Sequence, residues 1–360
     1  MHKFSINRVN LSILIPAVLI VAIALSVFYS IDTQIFRSQA FFLIASIVAY
    51  FLFLNIDYKM LSLSSRYMYF AMIFLLLVLF IIGIEARGAV RWVDVFGLRL
   101  QFSEIIKPFF IIFMARYLSN DEKRTFMTFI KSGLLLAPIF FLTLIQPDLG
   151  NAMIYLIVLL FMLFSYGFSF RYFLGLGIVA AVAFPVIFTF LHDYQKLRLL
   201  SFINPAQDPS GSSYNAVQSL ISIGSGGFFG KGFGQATQSI LKFLPERHTD
   251  FIFATISESL GFIGATFLIL LYAYLLSRII KITSEVHDEF SRLVLLGFYF
   301  LFLTHIFLNI GMNIGIVPIV GITLPLASYG GSSLLTSFII LGIVSSISFD
   351  FRKKGMLEIS

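Results

Sequence analysis

Long apolar stretches alternate with short polar ones over the whole chain. Ten of the apolar stretches are predicted to be membrane-spanning helices, because a span needs about 20 mostly apolar residues. They cover residues 11–29, 39–55, 66–84, 104–118, 129–146, 150–168, 171–191, 250–279, 292–313 and 330–349. We therefore predict an all-α polytopic integral membrane protein in which residues 1–360 form a single membrane domain.

The distribution of lysine and arginine predicts which side of the membrane each polar segment faces. If the N-terminus is cytoplasmic, fifteen of these residues in or next to short loops fall on the cytoplasmic side and five on the other side. Short cytoplasmic loops carry an excess of Lys and Arg, so both termini are predicted to be cytoplasmic. Two non-spanning segments, residues 85–103 and the long segment 192–249, are then extracytoplasmic.

The composition agrees with a bilayer as the solvent for most of the chain. Hydrophobic residues make up 59% of the sequence and the mean hydropathy is +0.95, against about 45–50% apolar residues in soluble domains. The net charge of +7 is scattered among apolar runs, so no nucleic acid is expected as a partner. The absence of cysteine excludes a disulfide framework and a cysteine-based metal site.

Asp250 is the first candidate for a chemical role. It lies where the long polar segment meets a long apolar helix, at the end of the run PERHTD of residues 245–250. An aspartate at a helix start can act as an N-cap, whereas a carboxylate at the edge of a low-dielectric region can serve as a general base. Both interpretations stay open here, and His248 is either a second titrating group or an ordinary loop histidine.

A second pair of ionisable residues lies inside the fourth predicted span. Glu104 and Lys107 are spaced i, i+3, which puts them on one face of a helix. An unpaired ammonium inside a bilayer is unfavourable, so pairing with Glu104 is the structural interpretation. Ionisable groups within spans commonly face a functional site, and we favour that interpretation. Glu258, two turns after Asp250, is predicted to be buried. It either tunes Asp250 or holds helices together, and we favour the second, structural interpretation.

Glycine-rich and small-residue segments form the third group of candidates. The glycines of residues 224–234 surround Lys231, and such a loop either cradles a phosphate or is re-entrant or flexible. The run QPDLG at residues 146–150 has the composition of a tight turn. Residues 321–332 contain small side chains that either allow close helix approach or line a cavity.

These motifs together resemble the SEDS family of RodA, FtsW and SpoVE, over nearly the whole chain. The resemblance is carried by Arg91-Trp92, Ser103-Glu104 with Lys107, Gln146-Pro147-Asp148-Leu149-Gly150, Asn204-Pro205 with Asp208-Pro209, Gly211, Tyr214 and Gln218-Ser219, the glycines from Gly224 to Gly232, the run from Pro245 to Phe251, Asn309-Ile310-Gly311-Met312, and Pro325 with Ser328-Tyr329-Gly330-Gly331-Ser332. The sequences of residues 221–231 and 243–250 are more similar to RodA, the elongation member, and an FtsW-like division polymerase is the alternative within the family.

The resemblance implies a ten-helix glycosyltransferase of the bacterial inner membrane whose active site is extracytoplasmic. Such enzymes polymerise lipid II, a disaccharide-pentapeptide on undecaprenyl pyrophosphate, into β-1,4-linked glycan with inversion at the anomeric carbon. The family's essential aspartate corresponds to Asp250, and the Glu and Lys of its fourth span correspond to Glu104 and Lys107. The expected partners are lipid II and the growing glycan strand, membrane lipids, and a class B penicillin-binding protein that acts as transpeptidase.

The expected chemistry depends chiefly on one base, because a lipid pyrophosphate is a good leaving group and a sugar hydroxyl is a poor nucleophile. We predict that Asp250 takes the proton of the acceptor 4-hydroxyl. Cationic side chains neutralise the pyrophosphate, alone or with a divalent cation such as Mg²⁺ or Mn²⁺, and no other cofactor is expected. The residues predicted to form the substrate groove are Glu104, Lys107, Arg91, Lys231, Arg247, His248 and Ser328.

Three other functions are alternatives to a peptidoglycan polymerase. A lipid II flippase calls for ionisable groups spread through the bilayer and ideally for inverted repeats, neither of which is visible in the sequence. A binding scaffold for the transpeptidase is compatible with catalysis. A polymerase or ligase for another polyprenyl-linked sugar is the most distant alternative.

Overall fold

Helices make up most of the chain, as the apolar stretches predict. The structure is a computed structural model that describes residues 8–86, 89–95, 98–121, 123–190, 196–198, 200, 202 and 212–358. Its helices are α1 (Leu11–Ile31), α2 (Thr33–Asn55), α3 (Tyr58–Ile82), α4 (Phe102–Ile105), α5 (Lys107–Ser119), α6 (Phe126–Ile145), α7 (Leu149–Tyr166), α8 (Phe170–Phe190), α9 (Ser212–Ser225), α10 (Thr237–Ile240), α11 (Ile252–Glu285), α12 (Glu289–Asn313) and α13 (Gly331–Glu358). Its strands are β1 (Ile84–Ala86), β2 (Ala89–Val95) and β3 (Leu98–Leu100).

The predicted spans correspond to helices throughout. Within the described residues, eight helices are long and apolar enough to cross a membrane: α1, α2, α3, α6, α7, α11, α12 and α13. The fourth predicted span consists of two helices, α4 and α5, which are separated at Ile106. The seventh is α8, in which Phe170–Val186 forms a shorter apolar helix. The predicted class, an all-α polytopic membrane protein, is confirmed.

Short polar side chains begin several of these helices. The side chains of Asn10, Asp32, Asp57, Asp148 and Asp288 each accept a backbone N–H at the start of α1, α2, α3, α7 and α12, respectively. An N-cap of this kind satisfies a donor that the helix itself cannot pair. The turns between spans can therefore be short without leaving backbone donors unpaired.

The last helix, α13, is enclosed over most of its length and packs closely on α2. A Cβ at Gly342 would lie 2.6 Å from Tyr50 O, so only glycine permits this approach. Tyr50 OH and Ser345 Oγ are 3.1 Å apart, and Gln39 Nε2 donates to Ser328 O at 3.2 Å. The α2–α13 contact thus also anchors the segment that precedes α13.

A small antiparallel sheet lies between α3 and α4, which the all-α prediction did not include. β2 pairs with both β1 and β3, and Trp92 lies opposite Ile84. In β2 the buried Val93 alternates with the exposed Asp94, which is the period of a strand. The strands are too short to appear as apolar stretches, but the prediction that this segment does not span the membrane agrees with the structure.

In residues 212–251 of the long segment between α8 and α11, the structure describes the helices α9 and α10, and α9 packs against α11. Ser219 of α9 donates its hydroxyl to Asn313 O at 2.8 Å. The part of the family motif from Asn204 to Gly211 lies outside the described residues. The described half of this segment is therefore built onto the bundle.

The glycine-rich residues 226–232, which we call the re-entrant loop, dock on a break in α11. Gly261 interrupts the helix with φ +68° and ψ −167°. Four backbone hydrogen bonds of 2.8 to 3.2 Å join loop and helix: Phe262 N to Gly227 O, Ile263 N to Phe228 O, Lys231 N to Glu258 O and Gly232 N to Ser259 O. The loop therefore supplies bonds that the broken helix lacks. Because the N–H groups of Lys231 and Gly232 are used in this way, the structure favours the re-entrant interpretation over a phosphate cradle.

Replacing Gly226 by alanine is expected to lower the thermal unfolding temperature, measured by circular dichroism in detergent micelles. The new Cβ would lie 2.1 Å from Ser257 O, and overpacking of this kind costs about 1–3 kcal/mol. Gly224→Ala is the matched control, since a Cβ at Gly224 meets nothing within 4 Å. Equal unfolding temperatures for the two variants would contradict the close docking of the re-entrant loop.

Candidate functional site

Asp250 lies in a turn of residues 244–251 that leads into α11. The carbonyl of Glu246 closes this turn by accepting Thr249 N at 3.1 Å and Phe251 N at 3.2 Å. The N-cap position of α11 is Phe251, and no side chain caps the helix. The N-cap interpretation of Asp250 is therefore wrong, and its carboxylate is not used to begin α11.

Two asparagines of α12 hold the backbone carbonyl of Asp250. Asn309 Nδ2 and Asn313 Nδ2 each donate to that oxygen at 3.0 Å. Asn309 Nδ2 also donates to Ile322 O at 2.6 Å, and Asn313 Oδ1 accepts Ala254 N at 3.1 Å. Both asparagines are completely buried and lie one turn apart on one face of α12. They tie the Asp250 turn, the start of α11 and the segment after α12 to a single helix.

The carboxylate of Asp250 faces residues 319–328, which we call the crossing segment. A Cβ at Gly321 would lie 3.4 Å from Asp250 Oδ2 and 3.5 Å from Arg198 Nη1. Gly321 has φ +71°, a left-handed conformation that favours glycine. Arg198 Nη1 also lies 3.5 Å from Ile319 O. The acid and the guanidinium therefore lie near the same glycine, and a larger side chain there would contact both groups.

The predicted pair Glu104 and Lys107 is buried and is completed by a histidine. Lys107 Nζ lies 2.7 Å from Glu104 Oε1 and 3.0 Å from His305 Nε2. His305 Nδ1 lies 3.0 Å from Thr323 O in the crossing segment. Lys107 is 1% exposed, and the adjacent cavity has a volume of about 10 Å³, which is room for one water molecule at most. In this arrangement Lys107 is closed off from a ligand of the size of pyrophosphate.

Arg91 meets Asp148 of the QPDLG run. Arg91 Nη1 lies 3.8 Å from Asp148 Oδ1, and the Arg91 side chain is 31% exposed. Three side chains donate to Asp148 Oδ2, namely Gln101 at 2.6 Å, Ser103 at 3.1 Å and Asn151 at 2.9 Å. Asp148 is thus more than a turn residue, because it fixes the start of α4 and with it the position of Glu104.

Lys231 is paired with Glu258 of α11. Lys231 Nζ lies 3.1 Å from Glu258 Oε1, and the Glu258 side chain is completely buried. Glu258 also accepts the backbone N–H groups of Gln238 at 2.9 Å and Ser239 at 3.1 Å, at the start of α10. The helix-holding interpretation of Glu258 is supported, and Lys231 takes part in the same docking contact.

Arg247 and His248 belong to the Asp250 turn itself. Arg247 is 9% exposed, and its carbonyl accepts the hydroxyl of Thr255 at 2.8 Å. The His248 ring meets Tyr329 edge-on, with centroids 5.5 Å apart, and the His248 carbonyl accepts Tyr329 N at 2.7 Å. Both residues therefore lie close to Asp250 along the chain, and their carbonyls join the turn to Thr255 and Tyr329.

Ser328 braces the Asp250 turn against the crossing segment. Its hydroxyl donates to Thr249 O at 2.7 Å and accepts Leu324 N at 2.7 Å. Since the donor and one acceptor direction are used within the fold, the geometry favours a supporting role for Ser328 next to Asp250.

The Glu104–Lys107 pair and Asp250 are linked through α12 and the crossing segment. His305, Asn309 and Asn313 follow one another at successive turns of α12, spaced about 6 Å along the helix axis. His305 reaches Lys107, and the two asparagines reach the Asp250 carbonyl. The cavity beside Lys107 is not lined by Asp250 in the part of the chain that the structure describes. Lys107 and Asp250 are therefore connected through side chains of α12 that bind the Lys107 amine and the backbone carbonyls of Asp250, Ile322 and Thr323.

Comparison with known proteins identifies the family with this arrangement. A family model described as cell cycle protein, for FtsW, RodA and SpoVE, matches residues 5–353. The chain belongs to the FtsW/RodA/SpoVE family. One curated relative, peptidoglycan glycosyltransferase MrdB of Escherichia coli (strain K12), is 41% identical over 288 residues, which are 79% of this chain and 77% of the relative. The resemblance to the SEDS family is confirmed.

Two solved structures share the fold of this SEDS protein. One is a chain of a peptidoglycan synthase complex that coordinates polymerization and crosslinking, with TM-score 0.83, 27% identity, and coverage of 95% of this chain and 98% of that chain. The other is the rod shape determining protein RodA of Thermus thermophilus, with TM-score 0.71, 26% identity, and coverage of 95% and 97%. Family membership and the apolar helices establish a multi-pass bacterial membrane protein.

Four residues at the site of this SEDS protein are absent from the predicted groove: Arg198, His305, Asn309 and Asn313. Three of them form a polar stripe at i, i+4 and i+8 in an apolar span, and such a stripe is a recognisable signal for a functional face. Arg198 carries no comparable signal, because it is one basic residue in a long polar segment.

Replacing Asn309 by alanine is expected to lower the stability of the protein by about 1–3 kcal/mol, because the carbonyls of Asp250 and Ile322 lose a buried donor. Amide hydrogen exchange in residues 244–251 is expected to become faster, as measured by mass spectrometry. The control is Asn120→Ala, at an exposed residue after α5. Unchanged exchange in the Asn309 variant would show that the turn does not depend on this clamp.

Proposed function

We propose that this protein is a peptidoglycan glycosyltransferase that polymerises lipid II, with Asp250 as the general base. The observation that carries the proposal is the setting of the carboxylate. Asp250 lies in a turn clamped by two buried asparagines, and its Oδ2 atom and Arg198 Nη1 both lie near the Cβ position of Gly321. The relatives include a peptidoglycan glycosyltransferase and a protein named as rod shape determining, which supports a role in cell elongation and rod-shape maintenance.

The reaction replaces one bond at the anomeric carbon of the donor sugar with another. The 4-hydroxyl oxygen of the acceptor attacks this carbon and forms the β-1,4 bond with inversion. The bond from the same carbon to the pyrophosphate oxygen breaks, and its electron pair leaves with undecaprenyl pyrophosphate. The hydroxyl proton passes to the carboxylate of Asp250. A base positioned in this way typically contributes about 10²–10⁴-fold to a rate.

Arginines near Asp250 are proposed to hold the pyrophosphate. Arg198 lies near the same glycine as Asp250, and Arg247 belongs to the same turn. The guanidinium group binds phosphate oxygens in pairs. Lys107 and Lys231, for which the same role was predicted, each lie within 3.1 Å of a glutamate oxygen. In this arrangement Lys107 and Lys231 stabilise the protein around the site. Arg91, whose side chain is 31% exposed, stays a predicted substrate contact.

The Asp250 end of the bundle is proposed to face the extracytoplasmic side, with both chain termini cytoplasmic. The loops at the opposite end, together with the helix turns that border them, carry most of the Lys and Arg residues that lie next to spans, which is the pattern of cytoplasmic loops. Substrate with a lipid tail would then reach Asp250 from the outer leaflet.

A class B penicillin-binding protein is proposed as the transpeptidase partner. The related chain that comes from a peptidoglycan synthase complex, in which polymerization and crosslinking are coordinated, supports this proposal. The glycan strand made at Asp250 would be the substrate of the partner.

Replacing Asp250 by asparagine is expected to reduce the polymerisation of labelled lipid II by the purified protein at least about 100-fold, because the base is lost. The fold is expected to persist, since the asparagine clamp binds the Asp250 backbone carbonyl and not its carboxylate. Glu285→Gln is the matched control, at an exposed carboxylate at the other end of α11. Activity near that of the wild type in Asp250→Asn would remove the base role.

A divalent cation is proposed to enter with the substrate. The described residues contain no group of three or more His, Asp or Glu side chains placed to hold a metal. Mg²⁺ is commonly bound by one or two carboxylates together with substrate phosphates, and the pyrophosphate of the substrate would supply such phosphate oxygens. The ion would supply positive charge next to the leaving group.

Chelation by EDTA is expected to stop polymerisation, and added Mg²⁺ or Mn²⁺ is expected to restore it. The thermal unfolding temperature of the protein without lipid II is expected to stay the same, because the described residues form no metal site of their own. A fall in that temperature on chelation would indicate a resident metal ion, and full activity in EDTA would contradict the proposed cation.

A further inference from the structure

The hydrogen bonds around His305 determine which ring nitrogen carries the proton. A lysine ammonium has three N–H donors and no acceptor, so in its 3.0 Å contact with Lys107 Nζ the His305 Nε2 atom accepts. The proton is then on Nδ1, which donates to Thr323 O at 3.0 Å. Glu104, Lys107, His305 and Thr323 therefore form one chain of hydrogen bonds, in which Lys107 donates to both Glu104 and His305 and the imidazole ring is neutral.

The end of this chain lies close to Asp250. Thr323 is two residues from Gly321, whose Cβ position is 3.4 Å from Asp250 Oδ2. Asn309, one turn after His305 on α12, donates to the carbonyls of both Ile322 and Asp250. The adjacent carbonyls of Ile322 and Thr323 are thus bound by adjacent turns of the same helix. The turn with Asn309 also binds the backbone of Asp250, and the turn with His305 also binds Lys107 of the buried ion pair.

We propose that His305 is a positioning residue for Asp250. Its Nδ1–H bond to Thr323 holds the crossing segment at its distance from the Asp250 carboxylate. Lys107, oriented by Glu104, keeps the ring in the tautomer that can make this bond. The inference rests on the proposed function of Asp250, and it gives the enclosed ion pair a part in catalysis without contact with substrate.

A merely structural role for His305 differs from positioning in one measurable respect. If the ring only fills space and pairs with Lys107, any change at His305 should affect activity in proportion to stability. If the ring positions the crossing segment, the two nitrogens are unequal, because only Nδ1 touches the segment that flanks Asp250.

Two amide substitutions test the nitrogens one at a time. Asparagine can place its amide N–H near the position of Nδ1 and donate to Thr323 O, whereas glutamine can reach the position of Nε2 and accept from Lys107. In His305→Gln we expect kcat for lipid II polymerisation to fall by about 10-fold to 100-fold, because a displacement on the order of 1 Å costs that much. KM is expected to stay within about twofold, since ground-state binding is unaffected. In His305→Asn kcat is expected to stay within about threefold of the wild type.

The outcomes separate this inference from the proposed function. Equal losses of kcat in the two His305 variants, or wild-type kcat in His305→Gln, would overturn the positioning role. If either of these results is obtained and Asp250→Asn is inactive in the same assay, Asp250 remains the proposed base and only the positioning role of His305 is rejected. If Asp250→Asn is active, the base assignment itself is removed.

A double-variant cycle covers the case in which one His305 variant is less stable than the other. His305 and Asn309 bind neighbouring carbonyls of the crossing segment, so their effects on log kcat are expected to be non-additive. The cycle compares wild type, His305→Gln, Asn309→Ala and the double variant at a temperature where all are folded by circular dichroism. Strict additivity would contradict a shared action on the crossing segment.

Discussion

A polar backbone group inside a lipid-surrounded bundle has to find its hydrogen-bond partner within the protein, because the hydrocarbon offers none. Two places in this chain depend on that constraint. At Gly261 the long helix α11 is broken, and the re-entrant loop supplies four backbone bonds across the break. At Asp250 the chain forms a non-helical turn before α11, and two asparagine amides donate to the Asp250 carbonyl. The irregular backbone at the site is thus held by named partners on regular helices.

The low dielectric inside the bundle also requires that buried charges be paired. Lys107 is paired with Glu104, and Lys231 is paired with Glu258. Both glutamates also anchor local structure: the backbone carbonyl of Glu104 accepts the hydroxyl of Thr336 at 3.1 Å, and the Glu258 carboxylate accepts two backbone N–H groups at the start of α10. Since removing one partner of such a pair leaves an uncompensated charge, these residues act chiefly by fixing the elements around Asp250. These ion pairs therefore stabilise elements that surround Asp250.

This arrangement suits a reaction that requires one well-placed base. The Asp250 carboxylate is carried by a turn, but that turn is clamped to α12, braced by Ser328 and faced by the crossing segment. A catalytic group on a loop gains precision when rigid helices support it. The same helix α12 carries His305, so the geometry of the buried ion pair and that of Asp250 are set by one rigid element.

Local sequence determined much of this protein. The length of each apolar stretch predicts a helix because the bilayer thickness sets that length. The i, i+3 spacing of Glu104 and Lys107 puts them on one helix face, and in the structure Lys107 Nζ lies 2.7 Å from Glu104 Oε1. The position of Asp250 at the junction of a polar segment and an apolar helix also follows from neighbouring residues. The sequence left open whether the glycine-rich loop cradles a phosphate or is re-entrant or flexible.

Only the tertiary structure decided which distant residues meet. Lys107 reaches His305 across 198 positions of the chain, and Asn309 reaches Asp250 across 59. Arg91 pairs with Asp148, although its charge alone suits a pyrophosphate equally well. The short strands β1 to β3 form because they pair with each other. Helical and strand periods are set by contacts between neighbours in sequence, whereas these partners are set by how the helices pack, and no local pattern records that.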